Sequence, residues 1–350
     1  MKSESLNILA WHKFKSNKLS FFALCYILLV SLFGVFSVVI SPDGSKNANE
    51  MNIELAIKSP LSKVSFLEIP KNENIDIPFL EAIFLGRPSE IRRIPIGDFK
   101  IIEGGVEYSP YGIEMKEIYL GKYHISEQTF WFGTDRYGRD LMSRILYGIR
   151  ISLSVGFISV FISLIIGISL GLIAGYSRGR IDDLIMWFVN VIWSIPTLLM
   201  VIAITLALGK GFWQVFVAVG LTMWVEVARI VRGQVLVIRE LEYIEAGKAL
   251  AYSSLRIIVR HILPNVIGPI IVISAANFSA AILIEAGLSF LGIGSQPPMP
   301  SWGSIIKDHY AYIIMDKAYL AIIPGMAIMT LVLAFMLLGN GLRDAFDIKK

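Results

Sequence analysis

The sequence predicts an all-α membrane protein: six transmembrane helices, with an extracytoplasmic insert of β character after the first. Three observations predict it. Hydrophobic residues make up 55% of the 350 residues and charged ones only 17%, with a mean hydropathy of +0.64, a composition outside the range of soluble domains. Six runs are apolar for about 20 residues, the length needed to cross a bilayer as a helix. A long polar stretch, residues 41–130, separates the first run from the second.

The runs justify the elements in order. Leu19–Ile40 and Ile151–Tyr176 carry no charge. Leu184–Gly209 is also uncharged and contains Pro196. Phe212–Val231 carries Glu226 and Arg229 at its end, Val266–Leu291 carries Glu285, and Ala318–Leu342 contains Pro324. An interior proline removes one helical hydrogen bond and kinks the helix, which neighbours in a bundle can compensate. The chain therefore divides into an N-terminus (1–18), a first crossing (19–40), the insert (41–130) and a helical core (131–342). The core holds crossings near 151–176, 184–209, 212–231, 266–291 and 318–342, a polar loop at 232–265, and is followed by a tail (343–350).

Charge orients these elements. Lys2, Lys13, Lys15 and Lys18, then Arg178 and Arg180, then Arg229, Arg232, Arg239, Lys248, Arg256 and Arg260, and finally Arg343, Lys349 and Lys350 all fall on one side. The short loops opposite hold Lys210, Lys307 and Lys317. The rich side is expected to be cytoplasmic, with both termini there. Arg136, Arg139, Arg144 and Arg150 dissent, just before the second crossing. The formal charge of +4 is explained by this bias and suggests no nucleic acid. The first apolar run is too long for a cleavable signal.

The insert is mildly acidic, and FKIIEGGVEYSPYGIEMKEIYL alternates apolar and polar residues around Gly104-Gly105, the pattern of a β-hairpin. It is near the size at which an isolated core becomes marginal, so it is expected to lean on the bundle or a partner. Small residues are dense in Gly167–Gly175 (GISLGLIAG), where they let helices approach closely.

Candidate chemistry is sparse. Cys25 is the single cysteine, and His12, His124, His261 and His309 show no ligand spacing, so neither a disulfide nor a metal site is expected. No phosphate-cradling glycine loop of the Gly-Lys-Ser type occurs, so no ATP hydrolysis, and no cofactor, is expected of this chain. Polar groups inside crossings are costly and invite a functional hypothesis: Glu285, Asn277 and Asn190 are candidates for a pathway or gate, with helix–helix hydrogen bonds as the alternative. Glu226 stands one turn before Arg229, within reach of an ion pair. Asp135 is placed to cap a short helix carrying Arg139 and Asp140.

The loop Tyr243–Asn265, YIEAGKALAYSSLRIIVRHILPN, is the most informative segment. Ala246, Ala249 and Leu250 can share a helical face, with Glu245 and Lys248 beside it. Leu255, Ile258, Val259 and Ile262 follow the spacing of a second apolar stripe, and Pro264 is expected to end the polar helix and start the next crossing. A docking helix for a soluble partner and a helix lying on the membrane surface share this pattern.

This loop resembles the signature of permease subunits of bacterial ATP-binding-cassette importers: Glu-Ala-Ala, three residues, Gly, then Leu-Pro. Glu245, Ala246 and Gly247 stand at its start, Ala251 where the family has Gly, and Leu263 and Pro264 at its end. Two positions depart, each by an Ala/Gly exchange. Gly133–Leu153 (GTDRYGRDLMSRILYGIRISL), Glu285–Gly303 (EAGLSFLGIGSQPPMPSWG) and Trp11–Ser20 resemble the dipeptide and oligopeptide permeases of C type. The resemblance covers the chain except 41–130.

The resemblance implies a coupling helix inserted into an ATPase groove, with Glu245, Ala246, Gly247, Ala251, Leu263 and Pro264 as coupling residues. It implies as partners a homologous permease subunit, two ATP-binding subunits and an extracytoplasmic solute-binding protein, in a bacterial plasma (inner) membrane. Peptides are the implied cargo, with nickel complexes, glutathione and peptide antibiotics as alternatives. A stand-alone secondary transporter or channel would show an internal inverted repeat and a dedicated ion site, and the sequence displays neither.

Overall fold

The computed structural model describes residues 6–71, 91–209 and 211–346. The middle of the insert (72–90) and the charges Lys2, Lys210, Lys349 and Lys350 lie outside them. The chain folds as two compact units. One comprises 1–29, 152–296 and 328–350; the other comprises 30–151 and 297–327.

The helical unit holds most of the membrane-spanning length. Its helices are α1 (Leu6–Ser16), α2 (Lys18–Val35), α4 (Leu141–Ser177), α5 (Gly179–Trp193), α6 (Thr197–Leu208), α7 (Phe212–Ile238), α8 (Glu242–Ala249), α9 (Ser254–Ile257), α10 (Leu263–Phe290) and α12 (Tyr319–Phe346). The one-turn α3 (Ser37–Ile40) and α11 (Trp302–His309) belong to the second unit, into which α2, α4 and α12 extend. Among the described residues five helices are long and apolar enough to cross a membrane. The pair α5–α6, bent by 90° across Ser194-Ile195-Pro196, brings the number to six when counted as one broken span. The expected crossing 184–209 is thus two helices. Pro196 lacks the amide that would have continued the first, and α5 is amphipathic rather than uniformly apolar.

A glycine row explains the tightest packing. Gly167, Gly171 and Gly175 lie four apart on α4, and a Cβ on each would come within 2.5 Å of Val227 Cβ, 2.7 Å of the Ala228 carbonyl and 2.7 Å of Val235 Cβ, respectively. In lipid, where burial gives helices little reason to associate, such close backbone approach supplies dispersion contact instead. At the other end of this unit, Phe14 of α1 packs with Ala345, Leu338 and Leu342 of α12.

In the second unit, β1 (Ser62–Pro70), β2 (Ile91–Ile102), β3 (Gly105–Pro110), β4 (Glu117–Leu120) and β5 (His124–Phe130) form one antiparallel sheet in the order β4-β3-β2-β1-β5. The hairpin read around Gly104 is β2–β3: Ile102 pairs with Gly105, and Gly104 turns the chain with φ of 77°. Alternation along β1 sends Val64 and Phe66 to one apolar cluster and Leu67 to another on the opposite face.

The sheet leans on the segments next to it. Tyr319 Oη donates to the Lys58 carbonyl at 2.7 Å, Thr134 Oγ1 donates to the Leu55 carbonyl, and Trp302 Nε1 donates to the Ile145 carbonyl at 3.0 Å. The two quoted motif segments, Gly133–Leu153 and Glu285–Gly303, therefore meet at Trp302.

The four dissenting arginines have structural partners. Arg139 Nε pairs with Asp135 at 2.7 Å, Arg144 lies 3.5 Å from the same carboxylate, Arg136 pairs with Asp308 at 3.1 Å, and Arg150 donates to the Gly34 and Val35 carbonyls at 2.7 Å. These partners give the four arginines a role in holding the fold. The cap expected of Asp135 belongs to Asp140, which accepts from the Ser143 amide at 2.8 Å at the head of α4. Asp135 instead accepts from the amides of Tyr137 and Arg139 within its own turn.

Candidate coupling loop

The loop grows from the end of α7. Ile238 closes that helix, Leu241 is extended, and α8 begins with Glu242 and Glu245 in its first turn, where the helix dipole favours carboxylates. Ile244 and Gly247 face inward. Ile244, Ile257 and Ile262 are each 0–1% exposed and join Val231, Val235 and Val266 in one apolar cluster with α4, α7 and α10. The loop is therefore fused to the bundle.

The opposite face is bare. Glu245, Ala246, Lys248, Ala249 and Leu250 are exposed, so the face expected of Ala246, Ala249 and Leu250 is present and uncovered. Leu255 joins it at 71% exposure. The expected stripe of Leu255, Ile258, Val259 and Ile262 is corrected: Ile257 and Ile262 are buried, whereas Leu255 and Val259 are exposed.

The cause is a π turn over Ile258–Ile262. Five residues per hydrogen-bonded step rotate the buried positions off the 3.6 period. The same turn corrects the reading of Pro264. The chain runs helically from Ser254 to Phe290, and Pro264 sits in the first turn of α10, where a missing amide costs least. Leu263 is half-buried and Pro264 exposed.

Aromatic and polar contacts stiffen the return path. The Arg256 guanidinium lies 4.0 Å from the Tyr252 ring centre, and that ring stacks on His261 at 6.1 Å. Ser253 caps α9 by accepting from the Arg256 amide at 3.4 Å, and Asn265 donates to the His261 carbonyl at 2.6 Å.

The candidate pathway residues are not gathered. Glu285 is buried and accepts from the Ser289 hydroxyl at 2.6 Å, one turn along its own helix. Asn277 is buried in α10, and Asn190 is exposed on α5. An open cleft of about 530 Å³ between α7, α10 and α12 is lined by none of them, but by Ile230, Gln234, Val272, Ala276, Arg343 and Phe346 among others. Glu226 makes no ion pair with Arg229 among the described residues. Arg229 lies 3.9 Å from the Trp193 ring centre instead.

Sequence reasoning missed three arginine contacts near the loop: Arg232 with Asp182, Arg239 with the last carbonyls of α4, and Arg229 with Trp193. Their partners are 36 to 64 residues away, and no local spacing signals them.

Bent and straight apolar helices long enough to cross a membrane, around a fused polar loop, define the architecture of a helical membrane protein. The profile of the binding-protein-dependent transport system inner membrane component matches residues 167–349, and that of the N-terminal TM domain of oligopeptide transport permease C matches residues 5–57. The dipeptide transport system permease protein DppC of Lactococcus lactis subsp. cremoris is 33% identical over 338 residues, 97% of this chain and 89% of that protein. The glutathione transport system permease protein GsiD of Pectobacterium atrosepticum is 43% identical over 219 residues, 63% of this chain and 72% of that protein. A solved inward-facing MetNI methionine ABC transporter chain is similar at 20% identity and a TM-score of 0.49, covering 59% of this chain and 97% of that one.

The chain belongs to the binding-protein-dependent transport system inner membrane components. It is a membrane-embedded permease subunit of an ATP-binding-cassette importer.

Proposed function

We propose that this chain is the C-type permease subunit of a peptide importer, and that α8 docks into an ATP-binding subunit through Glu245 and Ala246, with Gly247 and Ala251 shaping its closing turn and Leu263 and Pro264 seating the return into α10. One observation carries the reading: α8 buries Ile244 in the bundle core while Ala246, Ala249 and Leu250 stand bare on its other side. An uncovered apolar face at the end of a rigid element suits a protein groove. The chain supplies no catalytic group; two separate subunits hydrolyse ATP. A homologous permease subunit completes the pathway, and a solute-binding protein delivers cargo at the insert's side of the plasma (inner) membrane, with both termini cytoplasmic. The segments 1–18, 41–130, 232–265 and 343–350 lie outside the crossings, with the shorter connections between them. Glu285, Asn277 and Asn190 are the candidates for its lining or gate.

ATP binding closes the ATPases, draws the coupling helices together and turns the pathway outward; hydrolysis resets it. This is a population shift imposed by a ligand at a distant site. Peptides are the favoured cargo because the relative spanning nearly the whole chain is named for dipeptides. Glutathione is the second reading, on the name of the 43% identical relative.

The decisive experiment is Glu245→Lys in the assembled transporter. The variant should insert normally, lose co-purification with the ATP-binding subunits and lose uptake. Normal association and normal uptake together would refute docking through α8. Mass spectrometry of the ligand carried by the purified binding protein assigns the cargo.

A further inference from the structure

Asp182 and Arg232 form the best-made ion pair in the helical unit. Arg232 Nε and Nη2 donate to the two carboxylate oxygens of Asp182 at 2.6 and 2.7 Å. The pair is bidentate, and Asp182 is buried. It joins the first turn of α5 to α7, two turns before α7 gives way to the coupling loop.

Everything else around α7 is already one body. The glycine row clamps α4 to α7. Arg239 holds the Gly175 and Tyr176 carbonyls at 3.2 and 2.6 Å, fixing the end of α4 to the root of the loop. Ile244, Ile257 and Ile262 fix the loop itself.

The exception is α5. It leaves α4 through Arg178 and Gly179, both in left-handed conformations, and its outer residues Leu184, Trp187 and Trp193 are 62–67% exposed. At its head the exposed Arg178 pairs with Glu240, just past α7, at 2.5 Å; along its length its remaining contacts with α7 are apolar, aromatic or cation–π: Val189 against Trp224, Val225 and Ala228, Phe188 stacked on Trp224, and Trp193 under Arg229. Such contacts hold two helices together but allow sliding. A planar two-bond fork fixes rotation and register. Beyond α5 the chain bends 90° into α6, so any rotation of α5 swings α6 through the membrane.

We propose that the Asp182–Arg232 pair is the joint that carries movement of the coupling loop into the bent pair α5–α6. Asp182 and Arg232 are positioning residues, and the proposal rests on the docking role of α8. A ligand at one end can bias the other only through an element that both share.

The test uses the full transporter in nanodiscs, with Cys25, the chain's free cysteine, replaced by Ala. Spin labels at Leu199 on α6 and Ile267 on α10 report one distance, read without nucleotide and after trapping with ATP and vanadate. With the joint intact, the distance is narrow and equal in both states. Arg232→Ala and Asp182→Asn should lose the single narrow distance while ATPase subunits remain bound and hydrolysing. The exchange Asp182→Arg with Arg232→Asp should restore it.

A wild-type distance that changes on trapping would overturn the joint, as would single variants as narrow as wild type. Should the single variants fail to fold, Asp182→Cys with Arg232→Cys, bridged by a short bis-maleimide, decides. Transport surviving the bridge supports the joint, and transport abolished by it refutes it. Failure of the docking role would appear separately, as Glu245→Lys retaining its ATPase subunits and uptake.

Discussion

The Tyr252 amide donates to the Gly247 carbonyl at 3.1 Å, and between them Ala251 holds φ at 55° while its own amide donates to the Lys248 carbonyl at 2.9 Å. This pair of bonds is a Schellman closure, which places a left-handed residue just past the helix end. Glycine takes that conformation freely, whereas alanine pays roughly 1–2 kcal/mol in Cβ crowding. The bend that the resembled family builds with glycine is therefore kept here with alanine under strain. Gly247, where the family has alanine, has no such need: a Cβ there would touch only Tyr252 Cδ2, at 3.5 Å.

Exchanging the two should stabilise the loop. Ala251→Gly relieves the crowding, and Gly247→Ala removes backbone freedom from the unfolded chain, each by about 0.5–1 kcal/mol after the glycine entropy is counted. The thermal midpoint of the purified subunit should rise for both variants and should fall for Ala251→Val. Slower proteolysis within 243–253 is the local check.

Filling the glycine row should do the reverse. Gly171→Leu drives a side chain into the Ala228 carbonyl and Val231, whose atoms lie 2.7–2.8 Å from the position of a Cβ. Overpacking of this kind costs about 1–3 kcal/mol or more. The expected outcome is a lower midpoint and less folded protein in the membrane. Gly233→Ala on α7, where a Cβ meets nothing within 4 Å, serves as the control.

Trp302 should prove a keystone of the second unit. Gly148 is a glycine because a Cβ there would lie 2.5 Å from the Trp302 ring. Gly148→Val should therefore destabilise more than Trp302→Phe, which loses the bond to the Ile145 carbonyl, worth roughly 1 kcal/mol, and some packing. Chemical unfolding followed by Trp fluorescence, in a matched series, ranks the two.

Acid should act on this unit in two opposite directions. His309 is buried; its Nδ1 donates to the Ile305 carbonyl at 2.7 Å and its Nε2 accepts from the Arg136 amide at 3.3 Å. Burial lowers its pKa, so its contribution is present above about pH 6.5 and is lost as pH falls through the lower folded value. Burial instead pushes the Asp140 carboxyl up to about 6, against the Ser143 bonds that favour its charge. Its contribution is full below about pH 4 and is lost as pH rises through 6, a swing of about 2–3 kcal/mol. Asp140→Asn should leave a protein that gains less stability, or loses more, than the wild type as pH falls from 7 to 5. His309→Gln should leave one that strengthens over the same window. Thermal midpoints across that range check both signs.

Much of this fold is readable from local pattern. The apolar runs locate the crossings because bilayer thickness sets their length. The Gly104 hairpin is legible because alternation and a left-handed turn residue are both local properties. The bare face of Ala246, Ala249 and Leu250 follows from helical spacing alone. The stripe after Ser253 escapes such reading because a π turn changes the period, and nothing in the residue types announces it. The role of Asp135 escapes it because two aspartates compete for one helix start, and the turn around Gly138, with φ of 72°, gives it to Asp140.

By itself the sequence determined that the chain lives in a bilayer, that a polar loop precedes the apolar run 266–291, and which residues of that loop can share a face. Those properties are set by transfer free energy and helix geometry, which act over one turn to six. Only the tertiary structure decided that the loop is welded to the bundle, that α5 and α6 meet at a 90° bend before Pro196, and that Asp182 meets Arg232 across fifty residues. Long-range partners depend on how whole helices pack, and a charge in a sequence does not say which distant charge will be brought to it.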